Sequence, residues 1–347
     1  MLEMNIILRI AKKLIFILIL FIQSVNAQIK RPLPVIDMHF HANILSNEGS
    51  PPTGIKAPFI DFGYFDPKEV YRKFFYNSML QNAKTPDAIK SPLTNSELMK
   101  LNLAALDKHN VYAVTSGDLK DVREYKKASP RRIINAILWD FSEIKRQGLS
   151  VDSLERLFKS GEFKIFGEVA IQYEGYSPSD SIFEPFLAMA ERLDIPIGIH
   201  IGPGPRGVAY MQYPHYRARL HSAFVLEEAL IKHPKLRLYA MHAGWPLIDD
   251  MIATMYAHPQ LYVDLGLISY VTPRKEFYFY LERLVNAGFG KRIMFGSDNL
   301  VYPDAVSKAI NSIQNAPFLT SIQKRDILFN NASRFLRLSP NQIEAMK

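Results

Sequence analysis

The chain has 347 residues, of which 48% are hydrophobic and 22% are charged. These fractions are ordinary for a globular protein and exclude a fully disordered chain or a collagen-like fibre. The absence of cysteine excludes disulfide frameworks, cysteine zinc sites, iron–sulfur clusters and thiol nucleophiles. The net charge of +8 is spread along the chain; without a basic cluster or a reading motif, we expect no nucleic-acid partner.

The first 27 residues have the pattern of a secretory signal. Three basic residues precede an apolar run at 14–22, and small residues lead to Ala27. Nine apolar residues are too few for a membrane span, which needs about 20. We expect cleavage near Ala27 and export of the mature chain, 28–347, to the periplasm or the medium, free of the membrane. An uncleaved signal anchor is the alternative.

From residue 32 onward, the chain repeats a short β-branched run, a loop and an amphipathic stretch. The runs are apolar throughout, which is typical of parallel strands buried on both faces. Eight such units in about 300 residues predict a single α/β domain with the (β/α)8 TIM-barrel fold. No GxGxxG turn follows a strand, which disfavours a doubly wound sheet. The predicted strands cover 35–41, 111–117, 133–139, 164–170, 195–201, 236–242, 261–265 and 292–298.

A long insertion, 43–93, follows the first strand and is rich in Pro, Phe and Tyr. Loops that follow strands lie over the mouth of such a barrel. The insertion is therefore predicted to be a lid or a wall of the pocket, with a packing flap or a dimer contact as the alternative. A homo-oligomer is compatible with the sequence.

The first strand ends with two histidines, His39 and His41, separated by Phe40. Because side chains alternate across a strand, the two imidazoles share one face and Phe40 takes the other. On the inner face of a barrel they would clamp a metal ion. The alternative is a pair of buried histidines that bond to backbone groups.

Three later strands carry a polar group near the same end, where barrel active sites lie. His200 is the natural third ligand. His242 is either a fourth imidazole ligand or a general acid that polarises a carbonyl, because neutral histidine suits both tasks. Asp298 can ligate a metal and accept a proton from bound water, whose pKa zinc lowers to about 7. A helix cap is the alternative for Asp298.

Two further groups of residues are candidates with open roles. Glu168 near the end of strand four is a metal ligand, a group that orients a histidine, or an ion-pair partner. Arg206, Tyr210 and Arg217 in the loop after strand five are candidates for substrate binding, because arginine pairs with carboxylates through two hydrogen bonds. A solvated loop is the alternative.

Together these motifs resemble the amidohydrolase superfamily, specifically the amidohydrolase-related branch with aminocarboxymuconate-semialdehyde decarboxylase-like enzymes. The likeness covers residues 34–338. It rests on the segments 36–41, 233–244, 258–264, 292–298 and 330–336.

The resemblance implies one divalent ion, usually zinc with manganese as the alternative. The ion would be held by His39, His41, His200 and Asp298, with His242 beside it as catalytic acid or base. Glu168 is similar in position to a glutamate that ligates a second metal in other branches, which leaves one or two ions open.

Three functions follow as expectations, each with a small-molecule ligand. The first is a hydrolase in which metal-activated water attacks an amide, ester or lactone and preorganised charges stabilise the oxyanion. The second is a non-oxidative carboxy-lyase acting on a small unsaturated or aromatic acid. The third is a binding barrel without turnover, which missing ligands would favour.

Overall fold

The computed structural model describes residues 32–347 except 60, 62 and 140–145. The signal segment predicted at 1–27 and its cleavage site lie outside the described residues, so export stays a prediction. Within the described part of the chain, no helix has both the length and the hydrophobicity needed to cross a membrane.

Eight parallel strands form one sheet, in the order β1-β4-β5-β6-β7-β8-β9-β10, and β2 pairs with β3 in a separate antiparallel hairpin. The predicted (β/α)8 barrel is confirmed, and all eight predicted strands are present. The strands are β1 Val35–His41, β2 Gly54–Lys56, β3 Ala88–Lys90, β4 Val111–Ser116, β5 Ile133–Trp139, β6 Ile165–Val169, β7 Ile197–His200, β8 Leu238–Met241, β9 Tyr262–Asp264 and β10 Ile293–Met294.

The barrel closes between β1 and the segment that follows β10. Met38 donates its backbone N–H to the Phe295 carbonyl at 2.9 Å, and Asp298 donates to the His39 carbonyl at 2.6 Å. The last strand is shorter than predicted because the chain leaves the regular ladder after Met294. Asp298 itself has a φ of 48°.

Helices separate the barrel strands. Several begin at side-chain caps: Thr94 accepts a hydrogen bond from the Glu97 N–H at 3.2 Å, which satisfies a donor that the helix leaves unpaired. The helices are α1 Tyr71–Asn82, α2 Asn95–Lys108, α3 Leu119–Ala128, α4 Val151–Lys159, α5 Glu184–Arg192, α6 Glu227–Lys232, α7 Ile248–Ala257, α8 Ile268–Val271, α9 Arg274–Leu284, α10 Asp304–Gln314, α11 Ser321–Arg325, α12 Asn331–Phe335 and α13 Pro340–Met346.

The core has two apolar clusters on opposite faces of the sheet. On β8, Leu238 and Ala240 belong to the larger cluster, which packs under the helices. Tyr239 and Met241 alternate with them and belong to the smaller cluster, together with Ile36 of β1. This alternation is what a strand buried on both faces requires.

The C-terminal helices add apolar side chains to the smaller cluster near the amino ends of the strands. Phe335 of α12 packs against Tyr239 and Tyr262 with ring centroids 5.5 and 4.9 Å apart. Arg325 of α11 donates to the Pro34 carbonyl at 2.6 Å, just before β1 begins. The polar residues of interest lie at the opposite, carboxyl ends of the strands.

The insertion, 43–93, has its own elements, β2, α1 and β3, and it contacts the loop after β7. The Tyr71 hydroxyl donates to the Arg206 carbonyl at 2.6 Å, and the Arg206 guanidinium donates to the Gly63 carbonyl at 3.1 Å. Two loops that follow strands are thus tied together on the carboxyl side of the barrel. A lid function stays a prediction.

Candidate metal centre

Six polar side chains meet at the carboxyl ends of five barrel strands. All six were predicted from their places near strand ends. Their side chains are largely buried, and the most exposed of them, that of Glu168, is 13% exposed. They are His39 and His41 of β1, Glu168 of β6, His200 of β7, His242 after β8 and Asp298 after β10.

His39 and His41 share a face, as the strand pattern predicts. Their Nε2 atoms lie 3.2 Å apart. Phe40 points the other way and packs against Tyr125, with ring centroids 6.3 Å apart. The two imidazoles therefore form a clamp with one open side.

Glu168 lies between two pairs of imidazoles. Its Oε2 atom is 3.5 Å from His39 Nε2 and 3.4 Å from His41 Nε2. Its Oε1 atom contacts His200 Nδ1 and lies 3.7 Å from His242 Nε2. Each carboxylate oxygen thus faces a different pair of nitrogen atoms.

Asp298 completes the side of the cluster that contains the β1 histidines. Its Oδ1 atom lies 3.2 Å from His41 Nε2 and 3.8 Å from His39 Nε2, and it is buried without a well-formed hydrogen bond among the described residues. A buried carboxylate oxygen without a donor is costly. A cation held by these three residues would remove that cost.

The positions of His242 and Asp298 depend on strained backbone conformations. Both have positive φ angles, 59° and 48°, which cost a non-glycine residue of order 1–3 kcal/mol. The Tyr270 hydroxyl donates to the Asp298 carbonyl at 2.8 Å, and the His242 N–H donates to Asp264 at 2.9 Å. These bonds hold the two residues where their side chains enter the cluster.

Two of the imidazoles have their tautomers set by groups that only accept hydrogen bonds. His39 Nδ1 lies 3.2 Å from Asp264 Oδ2, and His242 Nδ1 lies 3.0 Å from the Gly266 carbonyl oxygen. In the neutral rings the proton therefore resides on Nδ1 and Nε2 is bare. A bare Nε2 backed by such a partner is the usual form of a metal-binding histidine.

The other two imidazoles also have partners behind them. His41 Nδ1 lies 3.2 Å from the Ser116 hydroxyl, and His200 Nε2 lies 3.5 Å from the Tyr173 hydroxyl. These contacts fix the ring planes and leave His41 Nε2 and His200 Nδ1 directed at Glu168. All four imidazoles thus present a nitrogen to the same carboxylate.

Burial and charge shift the pKa values of the cluster in opposite directions. Burial raises the pKa of Glu168, but hydrogen bonds from His200, His242 and His39 outweigh it and bring that pKa well below 4.5. Burial lowers the pKa of His39, but Asp298 and Asp264 outweigh it and bring that pKa well above 6.5. Glu168 is therefore ionised, and its negative charge would be balanced by protonated histidine or a bound cation.

The donor set fits divalent ions. Two groups share Glu168, and within each group the ligand atoms lie within 4.8 Å of one another: one adds His39 and His41, the other His200 and His242. Imidazole nitrogen and carboxylate oxygen are ligands that zinc and manganese accept. A third grouping, through Asp264, does not fit a metal, because the oxygens of Asp264 already face three N–H donors.

Two residues that support the cluster were not singled out from the sequence. Asp264 ends β9 and contacts both His39 and His242; the criterion that selected His200, a polar residue at a strand's carboxyl end, would have found it. Asn299 accepts from the His41 N–H at 2.7 Å. Nothing in the sequence separates Asn299 from an ordinary loop residue.

The three residues predicted to bind substrate have other contacts. Arg206 bonds to the insertion, and Arg217 donates to the carbonyls of Pro214 and Tyr216 at 2.9 and 2.7 Å. Tyr210 is 76% exposed. A role in substrate binding stays a prediction for all three.

His221, in the same loop, is fully buried. Its ring lies 5.4 Å from that of His200 and 4.7 Å from that of Tyr216. Burial, with the nearby His200 and His242, lowers its pKa to about 2. The ring is therefore neutral and forms part of the wall beside His200.

Residues 36–338 match the family model described as amidohydrolase. The chain belongs to the amidohydrolase family. Members of this superfamily act on small molecules, typically with a divalent metal, and include hydrolases and decarboxylases. The chain is therefore an enzyme of one of these two kinds. No curated protein matches the sequence.

Several solved structures are similar in fold. An uncharacterised TIM-barrel protein from Bordetella bronchiseptica has 17% identity and a TM-score of 0.58, over 90% of this chain and 100% of that one. A probable 2-pyrone-4,6-dicarboxylic acid hydrolase from Acinetobacter baumannii has 13% identity and a TM-score of 0.55, over 88% and 99%. A manganese-bound dihydroxybenzoic acid decarboxylase from Polaromonas sp. JS666 has 12% identity and a TM-score of 0.53, over 90% and 99%.

Proposed function

We propose that this enzyme is a metal-dependent hydrolase that cleaves an amide, ester or lactone bond of a small substrate at a two-ion centre bridged by Glu168. The observation that carries the proposal is the position of Glu168, whose two oxygens face separate pairs of imidazole nitrogens. A glutamate that bound a single ion would need only one pair of imidazole nitrogens beside it.

The proposed ligands divide into two subsites. The first subsite consists of His39, His41, Asp298 and one oxygen of Glu168. The second consists of His200, His242 and the other oxygen of Glu168. We expect Zn²⁺, or Mn²⁺, because both accept nitrogen and oxygen donors. When bound, such ions lower the pKa of water and polarise a carbonyl group.

Asp298 is the proposed general base. Burial raises the pKa of Asp298, but His39 and His41 outweigh it and lower that pKa, so the carboxylate is ionised near neutral pH. Its Oδ1 atom is free of a well-formed hydrogen bond and can take a proton from a water molecule in the first subsite. A base within hydrogen-bond reach contributes about 10²–10⁴ in rate.

Of the two roles that the sequence left open for His242, metal ligand or general acid, its contacts favour the ligand. In the neutral ring the Nδ1 proton is bonded to the Gly266 carbonyl at 3.0 Å, so Nε2 offers a lone pair to an ion. That Nε2 atom lies 3.0 Å from His200 Nδ1. The two nitrogens converge as ligands of one ion would.

The same geometry favours hydrolysis over decarboxylation. Decarboxylation needs a neighbouring acid that protonates carbon. With His242 in the second subsite, the cluster instead provides a base, Asp298, and two places for positive charge. Two-ion sites are typical of hydrolytic displacement reactions.

The test combines a substrate panel with a Glu168→Gln variant of residues 28–347. Zinc- or manganese-loaded protein is assayed against amides, esters and lactones, and against hydroxybenzoic acids with detection of released CO₂. We expect hydrolysis by the native chain and loss of bound metal together with rate in the variant. Release of CO₂ without hydrolysis, or full metal content in the variant, would overturn the proposal.

A further inference from the structure

We propose that Asp264 is a positioning residue that selects the metal-binding tautomer of His39 and thereby controls the first subsite separately from the second. The inference rests on the proposed two-ion function. It concerns a residue that lies behind the cluster rather than among the ligands.

Asp264 is fully buried, and both of its oxygens are in use. Oδ2 lies 3.2 Å from His39 Nδ1. Oδ1 accepts from the backbone N–H groups of His242 and Gly266, each at 2.9 Å. One carboxylate thus meets a side chain from β1 and the backbone that follows β8 and β9.

The two oxygens have different tasks. Oδ2 faces a ring nitrogen, and because a carboxylate only accepts, His39 must carry its proton on Nδ1 and present a bare Nε2. Oδ1 faces backbone donors only and fixes the chain around His242 and Gly266. The tautomer of His242 is set by the Gly266 carbonyl, not by Asp264.

Two glycines let the His39–Asp264 pair pack against the backbone. A Cβ on Gly266 would lie 2.6 Å from His39 Nδ1, and a Cβ on Gly296 would lie 2.8 Å from His39 Cβ. The ring therefore has little room to turn away from Asp264. Its tautomer responds to whichever atom stands at the Oδ2 position.

Asp264→Asn separates the two tasks. The amide oxygen of the variant can still accept from the backbone of His242 and Gly266, while its NH₂ group replaces Oδ2. A donor facing His39 Nδ1 forces the ring proton onto Nε2, which can then no longer bind a metal. A change of this kind in the partner of a ligating histidine weakens metal binding about 10- to 100-fold.

The experiment measures bound Zn²⁺ per chain in native protein, Asp264→Asn and Asp37→Asn. Asp37 is the matched control: it is a buried carboxylate that accepts from the backbone N–H groups of His39 and Ser297 at 3.0 and 2.9 Å, and among the described residues it has no hydrogen bond to a ring nitrogen. At a free Zn²⁺ concentration buffered just above the native dissociation constants, we expect two ions in the native chain and in Asp37→Asn, and one ion in Asp264→Asn.

A second readout follows the tautomer itself. In metal-free protein labelled with ¹⁵N-histidine, at a pH where the ring is neutral, the His39 shifts should report a proton on Nδ1 in the native chain and on Nε2 in Asp264→Asn. A His39→Gln variant assigns the signal. A residue that only supports the fold would not move the proton.

Two ions in Asp264→Asn, or equal loss from both subsites with the fold retained, would overturn the inference. An unchanged tautomer would do the same. If the native chain holds only one ion, the two-ion function fails by itself. In that case, loss of the single ion in Asp264→Asn together with a proton on His39 Nε2 supports the inference. Retention of the ion with the proton still on Nδ1 overturns it.

Discussion

Asp298 donates its backbone N–H to the carbonyl oxygen of His39 at 2.6 Å, and the side chains of the same two residues lie 3.8 Å apart at Nε2 and Oδ1. The contact that closes the barrel between its first and last strands therefore also brings together two side chains of the proposed first subsite.

Asp298→Asn is expected to lower kcat at least 100-fold, because an amide cannot take a proton from water. The variant keeps the shape of the side chain and the backbone bond to His39. Steady-state kinetics measured beside metal content separate the two roles of Asp298. A variant that retains both its metal and its native kcat would exclude Asp298 as the base.

Gly266→Ala is expected to weaken zinc binding in the first subsite and to lower the free energy of unfolding by about 1–3 kcal/mol through overpacking. The new Cβ would lie 2.6 Å from His39 Nδ1. Metal analysis and denaturant unfolding check this. Gly290→Ala is the control, since Gly290 has a helical φ of −51° and open space around its Cβ position.

Gly207→Ala tests the insertion as a lid. A Cβ on Gly207 would lie 2.1 Å from the Tyr71 ring and should push the insertion from the loop after β7. We expect a changed KM or substrate preference with native metal content. Gly148→Ala, outside the insertion, is the control: Gly148 has a similar positive φ, 63° against 70°, and a Cβ there meets nothing within 4 Å.

Identical kinetics for Gly207→Ala and Gly148→Ala would show that the contact between the two loops contributes only to packing. Tyr71→Phe gives a milder form of the same test. It removes the hydrogen bond to the Arg206 carbonyl, which contributes about 0.5–1.5 kcal/mol.

Metal affinity should keep rising as the pH is raised above 6.5. Burial opposes a proton on His39, but Asp298 and Asp264 outweigh it and raise its pKa well above 6.5, so protons compete with the ion over a higher range than for free histidine. The pKa of Glu168 is lowered, so Glu168 does not compete there. Competition with a chelator at several pH values measures how metal affinity depends on pH. An affinity that stops rising at pH 6.5 would contradict the prediction.

The raised pKa of His39 has the opposite effect on the stability of the metal-free protein: stability falls as the pH rises. A raised His39 pKa stabilises the folded chain fully below 6.5, and this contribution is lost as the pH rises through the raised value. Metal-free protein should therefore lose stability in the range where metal binding strengthens. Thermal unfolding with and without zinc across that range would show the two curves diverging.

The sequence predicts the barrel and the cluster because both depend on strand ends. Continuous apolar runs indicate the strands, and polar residues at the carboxyl ends of five of these runs indicate the site, as His200 illustrates. Parallel strands place these ends together, so no knowledge of the loops is needed. Glu168 could be recognised as a candidate in this way.

What could not be predicted depends on contacts between distant segments. The position of Glu168 between two pairs of imidazoles depends on where three separate elements place the four rings. The tautomer of His242 depends on the Gly266 carbonyl, 24 residues away. Arg206, predicted to bind substrate from its residue type, also donates to the carbonyl of Gly63, a contact that only the folded insertion creates.

An anomalous difference map from crystals of the zinc-loaded chain tests the proposed two-ion centre most directly. We expect two peaks about 3.5–4 Å apart. One should lie among His39, His41 and Asp298, and the other between His200 and His242, with one oxygen of Glu168 at each. A single peak, or two peaks that Glu168 does not join, would contradict it.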